Sequence, residues 1–367
     1  MKAFINIIRW IVGLLFIFSG MIKANDPLGL SYKMQEFFVA WNVHWFDNYT
    51  LAVSLVMNVF EVLAGVAVIV GWNMKLFTRL LLLLIVFFGF LTGYALLSGK
   101  IKECGCFGDC LPMTDLQSFL KDVVLFLLIL VLFFNYKKIT PLFRSHFFSS
   151  LVLIAAVLFV CFSEYYVLKH LPVLDCLPYK VGRNIAEEMK IPTGSRPDSM
   201  ALTFRYKKDG KIIEFDANNI PDNLDSTYIF IDRYDKLIKK GNDMPVIADF
   251  SLRKLNGDDT TLAILNQGND YVMVFTQDFK NWDSQKDAFE KIATACKQKN
   301  MPLFVVTSSP DDAVKLFDQN AVVILRCDNT IVRTAARVDA TYFFMQQGNI
   351  LNKKSYADAD EFIAQIK

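Results

Sequence analysis

The sequence predicts an α-helical membrane bundle followed by a soluble α/β region. Two observations carry this reading. Hydrophobic residues make up 53% of the 367 positions, above the ~45–50% of ordinary soluble domains. The excess is also lopsided: acidic side chains are sparse in residues 1–170, whereas residues 171–367 alternate charged and apolar positions. A net charge of +2 offers no basic surface for nucleic acid.

A spanning helix needs about 20 mostly apolar residues. Five stretches meet that length: Phe4–Ile22, Leu51–Gly71, Leu76–Ser98, Leu116–Phe134 and Phe147–Leu168. The first is too long for a cleaved signal, and no small-residue cleavage pattern follows it, so it reads as a signal anchor. Lys2, Lys75, Arg79, Lys137, Lys138 and Arg144 flank one set of span ends, and Lys23, Lys33, Lys100 and Lys102 flank the other. The richer set marks the cytoplasmic side. The N-terminus is therefore expected in the cytoplasm. Five spans then put residues 169–367 outside, which is the periplasm where the cell is Gram-negative, with the chain embedded in the inner membrane.

Ser31–Phe46 is rich in Phe and Trp. It suits either a short helix at the membrane surface or an aromatic loop packed on the bundle. Arg9, Asn58 and Glu61 interrupt the apolar spans. A charge at mid-bilayer costs at least ~2.5–3.5 kcal/mol on insertion scales and so takes a partner. An Arg9–Glu61 pair joining two helices is the simpler expectation; proton movement or head-group binding is the alternative.

Seven cysteines are present: Cys104, Cys106, Cys110, Cys161, Cys176, Cys296 and Cys327. The first three crowd into one loop before the fourth span, close in sequence to Lys100, Lys102 and Lys121 and to a helix start after Pro112-Met113-Thr114-Asp115. Positive charge and a helix N-terminus favour thiolate. Three readings stay open for the loop: a redox-active dithiol, a static staple joining Cys104 or Cys106 to Cys176, and a metal site. The last lacks the paired spacing of zinc ribbons, and His44, His146 and His170 show no ligand spacing. Cys161, within the fifth span, reads as an inert packing residue.

In the soluble half, Ala201–Tyr206 and Lys211–Phe215 flank Lys208-Asp209-Gly210, a hairpin signal. With Thr227–Asp232 they make a β-rich connecting region over 171–243. From 244 to 367 strands and helices alternate: a short hairpin over Phe250–Leu262, a buried strand Tyr271–Thr276, a helix Ser284–Lys299, a strand Leu303–Thr307, a helix Asp311–Gln319, a strand Val322–Arg326, a hairpin around Gln347-Gly348 and a helix Asp358–Ile366. That order resembles the thioredoxin fold, and the opening Ala248–Leu262 resembles its peroxiredoxin and TlpA-type members. The redox Cys-x-x-Cys expected after the first long strand is missing; Gln277–Asp283 stands there. Ala340-Thr341 replaces the expected cis-proline. Catalysis is therefore not carried onto this domain. Cys296 is expected in the core and Cys327 as a free thiol.

The membrane half resembles a known family. Arg9 with Ser19-Gly20-Met21-Ile22-Lys23, and Glu61 with Gly65 and Gly71, resemble the first two helices of the DoxX family. Cys104-Gly105-Cys106-Phe107-Gly108-Asp109 with Phe119-Leu120-Lys121-Asp122 resembles its MauE branch. The resemblance implies a four-helix membrane core over 1–135, to which 136–170 adds a fifth span. It also implies a link to disulfide maturation of periplasmic proteins. The expectation is thiol–disulfide chemistry at Cys104, Cys106 and Cys110, exchanging electrons with a quinone or a periplasmic thiol protein. A second expectation is a non-catalytic scaffold that anchors a redox-inactive thioredoxin-like binding domain.

Overall fold

The computed structural model describes residues 2–99, 101, 105, 107–196, 199–208, 210–216, 220–221, 227–239, 241, 244–319 and 321–366. Among these, five helices are long and apolar enough to cross a membrane. They are α1 (Lys2–Asn25), α3 (Thr50–Val70), α4 (Met74–Ser98), α5 (Asp115–Asn135) and α6 (His146–Lys169); a shorter helix, α2 (Pro27–Ala40), follows α1. Five crossings leave the loop before α5 and the soluble half on the same face, called here the loop face.

Helices α1 and α3 run antiparallel in very close contact. A Cβ on Gly65 would lie 2.7 Å from the Gly13 carbonyl oxygen, and one on Gly20 would lie 2.6 Å from Val62 Cγ2. Only glycine allows backbones to approach so closely. This crossing fixes the register: Gly13 is level with Gly65, and Gly20 with Glu61. Val12, Phe16, Ala64, Ala67, Val68, Leu81, Ile85, Ile129 and Leu132 fill the core between α1, α3, α4 and α5.

That register corrects the expected Arg9–Glu61 pair. The two residues sit about 16 Å apart along the axis, since eleven residues at 1.5 Å separate their levels. Arg9 instead donates to the Val68 carbonyl at 2.9 Å, to the Ile69 carbonyl, and to the Thr140 carbonyl at 2.8 Å. The last carbonyls of a helix have no partner within it and carry its negative dipole end, so the guanidinium caps α3. It also fastens the 136–145 strap that joins α5 to α6 across the end of the bundle; Leu142 donates its N–H to Val70 O there.

The soluble half has two sheets. Strands β1 (Ser199–Lys208), β2 (Lys211–Asp216) and β3 (Ile229–Lys239) form an antiparallel sheet ordered β2-β1-β3. The second sheet contains β4 (Tyr271–Thr276), β5 (Leu303–Thr307), β6 (Val323–Arg326), β7 (Thr341–Gln346) and β8 (Asn349–Ser355), ordered β6-β5-β4-β7-β8. β4, β5 and β6 are parallel; β7 and β8 are antiparallel additions. Helices α9 (Lys286–Gln298), α10 (Pro310–Leu316) and α12 (Ala359–Ile366) cover one side. The other side buries Phe250, Leu252, Leu265, Phe275, Phe343 and the short helix α11 (Asn329–Ala335).

Three local readings change. The Phe250–Leu262 hairpin is a single bridge between Arg253 and Asp259, after which Thr261–Leu265 turns into helix α8. Helix α11 follows β6 where no element was expected. Tyr179 and Ile185, the latter opening the one-turn helix α7 (Ile185–Glu188), are assigned from sequence to the connector but are buried in the α/β core. The chain passes along β8 there, with Gly182 N–H on Ile350 O and Ile350 N–H on Arg183 O.

Candidate functional site

The loop before α5 is closed by a disulfide between Cys110 and Cys176, 66 residues apart. Cys176 is thus paired, but with Cys110 rather than with Cys104 or Cys106. Residues 108–110 form a short turn that brings Cys110 toward the segment after α6, and Leu174 and Asn25 exchange two hydrogen bonds nearby. Cys104 and Cys106 lie outside the described residues. Phe107 is described; it packs on Phe18 and carries the Lys121 ammonium 4.9 Å from its ring centre. Thr114 caps α5 with a reciprocal bond to Gln117, so the helix start lies close after the loop, as its sequence suggested.

Beneath Phe107 the bundle holds a polar cluster. Lys23 on α1 donates to Glu61 on α3 at 2.5 Å, with both side chains at most 4% exposed. Lys121 pairs with its neighbour Asp122 at 2.8 Å, and Thr92 on α4 donates to the other Asp122 oxygen at 3.1 Å. Lys23 also sits 4.4 Å from the ring centre of Phe88. Glu61 Oε2 has no hydrogen-bond partner among the described residues. Together with Ser19, these charges line a cavity of about 20 Å³. A second buried pair links Asn58 to Glu164 of α6 at 3.0 Å. Sequence reading singled out Glu61 and Asn58 but missed Lys23, Asp122 and Glu164.

The α/β domain is seated on the loop face. Its contact edge is the position following β4 together with α11 and the residues before β7. Arg337, 7% exposed, donates at 2.8 Å to both Asp26, which caps α2, and Asp109 of the loop. Burial works against its charge, but these two carboxylates outweigh that and raise its pKa further. Gln277 donates to the Tyr32 hydroxyl at 2.9 Å, Arg333 donates to Gln277 and Gln35 at 3.1 Å each, and its guanidinium stacks 4.7 Å over Tyr32. Asp339 accepts from the Gln277 N–H, and burial pushes its pKa up to about 6. The Asp339–Ala340 peptide is cis. On the far side, Lys353 pairs with Asp175 and His170 with Asp358.

The remaining thiols are poorly placed for exchange. Cys296 and Cys327 are buried in the α/β domain, and burial pushes both up to about 12; the thiol form is inert. Cys161 lies on the outer surface of α6.

Five apolar helices, a disulfide-closed loop and an α/β domain docked on the loop face define a multi-pass membrane protein with its own extramembrane cap. The bundle of α1 to α5 is MauE-like: residues 1–135 match the family model described as methylamine utilisation protein MauE. Residues 200–240, which span β1 to β3, match a domain of unknown function. Protein TlpB of Flavobacterium psychrophilum is 42% identical over 59 residues, which amount to 16% of this chain and 16% of that protein. The chain thus spans a small part of that relative's length. No solved structure matches the chain.

Proposed function

We propose that this protein carries out thiol–disulfide exchange at the membrane surface, with Cys104 and Cys106 as the reactive pair. The Cys110–Cys176 bond carries the reading. It ties the loop down and uses two cysteines, while Cys161, Cys296 and Cys327 are lipid-facing or buried. Of the seven, Cys104 and Cys106 are left for chemistry. A Cys-x-Cys disulfide is strained and so readily reduced, as an exchanging pair requires. The electrons go to, or come from, a quinone or a periplasmic thiol protein. The MauE match over residues 1–135 supports this through what the resemblance implies.

The test is trapping. Full-length protein with Cys104→Ser or Cys106→Ser, expressed in cells, is expected to accumulate a mixed disulfide with a second thiol protein. In wild type, mild reduction followed by alkylation should label Cys104 and Cys106 first and Cys296 and Cys327 last. Loop cysteines that resist both reductant and label would favour the second reading, a scaffold. That reading draws on Gln277, which stands where the thioredoxin resemblance expects the redox pair and which donates instead to Tyr32.

The loop face is proposed to be periplasmic, with the N-terminus in the cytoplasm of an inner-membrane protein. An enzyme reporter active only in the periplasm, fused after Lys367, is expected to be active. Activity of a cytoplasm-only reporter at that site reverses the orientation and removes the oxidising setting.

A further inference from the structure

We infer that the small cavity between Lys23, Glu61, Lys121 and Asp122 is a proton-relay site. It holds one neutral, water-sized guest and takes up a proton released when the loop dithiol is oxidised. This rests on the thiol–disulfide reading above.

Size and charge select the guest. A cavity needs roughly 10–15 Å³ to hold a water, and this one offers about 20 Å³. A quinone ring or a lipid head group does not fit. The walls carry two ammonium groups and two carboxylates, so the site is neutral as it stands. An added ion leaves an uncompensated charge in a low-dielectric interior, which is strongly unfavourable. A neutral molecule with hydrogens to donate is what the walls lack, because Glu61 is fully buried and its Oε2 has no donor partner among the described residues. Buried carboxylate oxygens are rarely left so.

Position assigns the role. The polar groups that share the cavity with Glu61 are Lys23 on α1, Lys121 and Asp122 on α5, and the hydroxyl of Ser19, while Thr92 holds Asp122 from outside the lining. Phe107 closes the loop side of the cavity and follows Cys106 directly in the chain. Oxidation of the pair forms one S–S bond and breaks two S–H bonds. A quinone takes the two electrons and, as quinol, ends with both protons. One of these travels by way of the guest and Glu61 Oε2. Glu61 thus acts on the thiol through the guest and is a positioning and proton-carrying residue, not a nucleophile.

The experiment follows oxidation of the pre-reduced, full-length protein in nanodiscs by a short-chain benzoquinone, across a range of pH. Glu61→Gln is expected to slow oxidation about 100-fold, the usual worth of positioned proton transfer, and to flatten the pH profile. That variant strands the Lys23 charge and can lower the folded amount. The double variant Lys23→Met/Glu61→Gln removes both charges and is expected to recover the folded amount without recovering the rate. A double variant that oxidises at the wild-type rate makes the cluster a structural brace and overturns the relay. A wild-type loop that benzoquinone never oxidises sinks the thiol–disulfide reading itself, and the relay with it.

Discussion

Replacing Arg337 with Met releases the α/β domain from the membrane face. Arg337 bridges Asp26 at the start of α2 and Asp109 in the cysteine loop, both at 2.8 Å, with its own side chain 7% exposed. Removing one partner of a buried ion pair costs ~3–5 kcal/mol because the other charge stays behind unpaired. Here two carboxylates are left. The part-exposed Asp109 recovers some solvation and places the effect at the lower end. Hydrogen exchange should speed up in α2 and α11 while β4 and β5 stay protected, because undocking leaves their sheet intact. Arg337→Lys keeps the charge but loses the fork that reaches two acids at once, so it should fall between. Unchanged exchange in α2 for Arg337→Met would show that the Tyr32–Gln277–Arg333 contacts hold the domain alone.

The second large effect comes from the disulfide. In the chain-entropy view, closing a loop of this length restricts the unfolded chain by about 4 kcal/mol at most. The helices persist in a bilayer after unfolding, which reduces that figure. The double variant Cys110→Ser/Cys176→Ser avoids a stray thiol and is expected to lower the thermal midpoint in detergent. It should also expose the segment after α6 to protease. A midpoint equal to that of wild type would mean that the Asn25–Leu174 bonds and the Lys353–Asp175 pair already fix this segment.

The spans were legible because hydropathy over some twenty residues is a strong signal; Leu51–Gly71 was expected and Thr50–Val70 is found. Partners were not legible. Lys23 was read as a loop charge because the apolar run ends at Ile22, yet α1 continues to Asn25 and turns Lys23 inward. Its spacing held a clue: Phe16, Gly20, Lys23 and Ala24 share the buried stripe of α1. Asp122 falls on the same kind of stripe with Ser118, Leu125 and Ile129, and Glu164 with Val160 and Val167. A polar residue on the buried stripe of a span is a better pointer to a site than its depth in the hydropathy window. Arg9 misled because depth alone suggested Glu61, whereas the Gly13–Gly65 crossing sets the levels. The docking edge had no local signature at all. Asp26 and Arg337 are separated by 311 positions, and neither stands out in its own segment.

The path between Cys110 and Cys176 has a mechanical consequence. It descends α5, crosses the far face in the 136–145 strap, and climbs α6 before the sulfurs join it. Helix α5 lies against α4 and α1, while α6 lies against α3 and α1. The covalent ring therefore joins two helices that both pack on α1, with Arg9 holding the strap at one end through Thr140 and the disulfide closing the ring at the other. Such a ring can be closed only after α6 has been inserted and the residues behind it have reached the loop face. The bond thus serves as a record of completed membrane insertion, and a chain stalled after α5 would carry Cys110 unpaired.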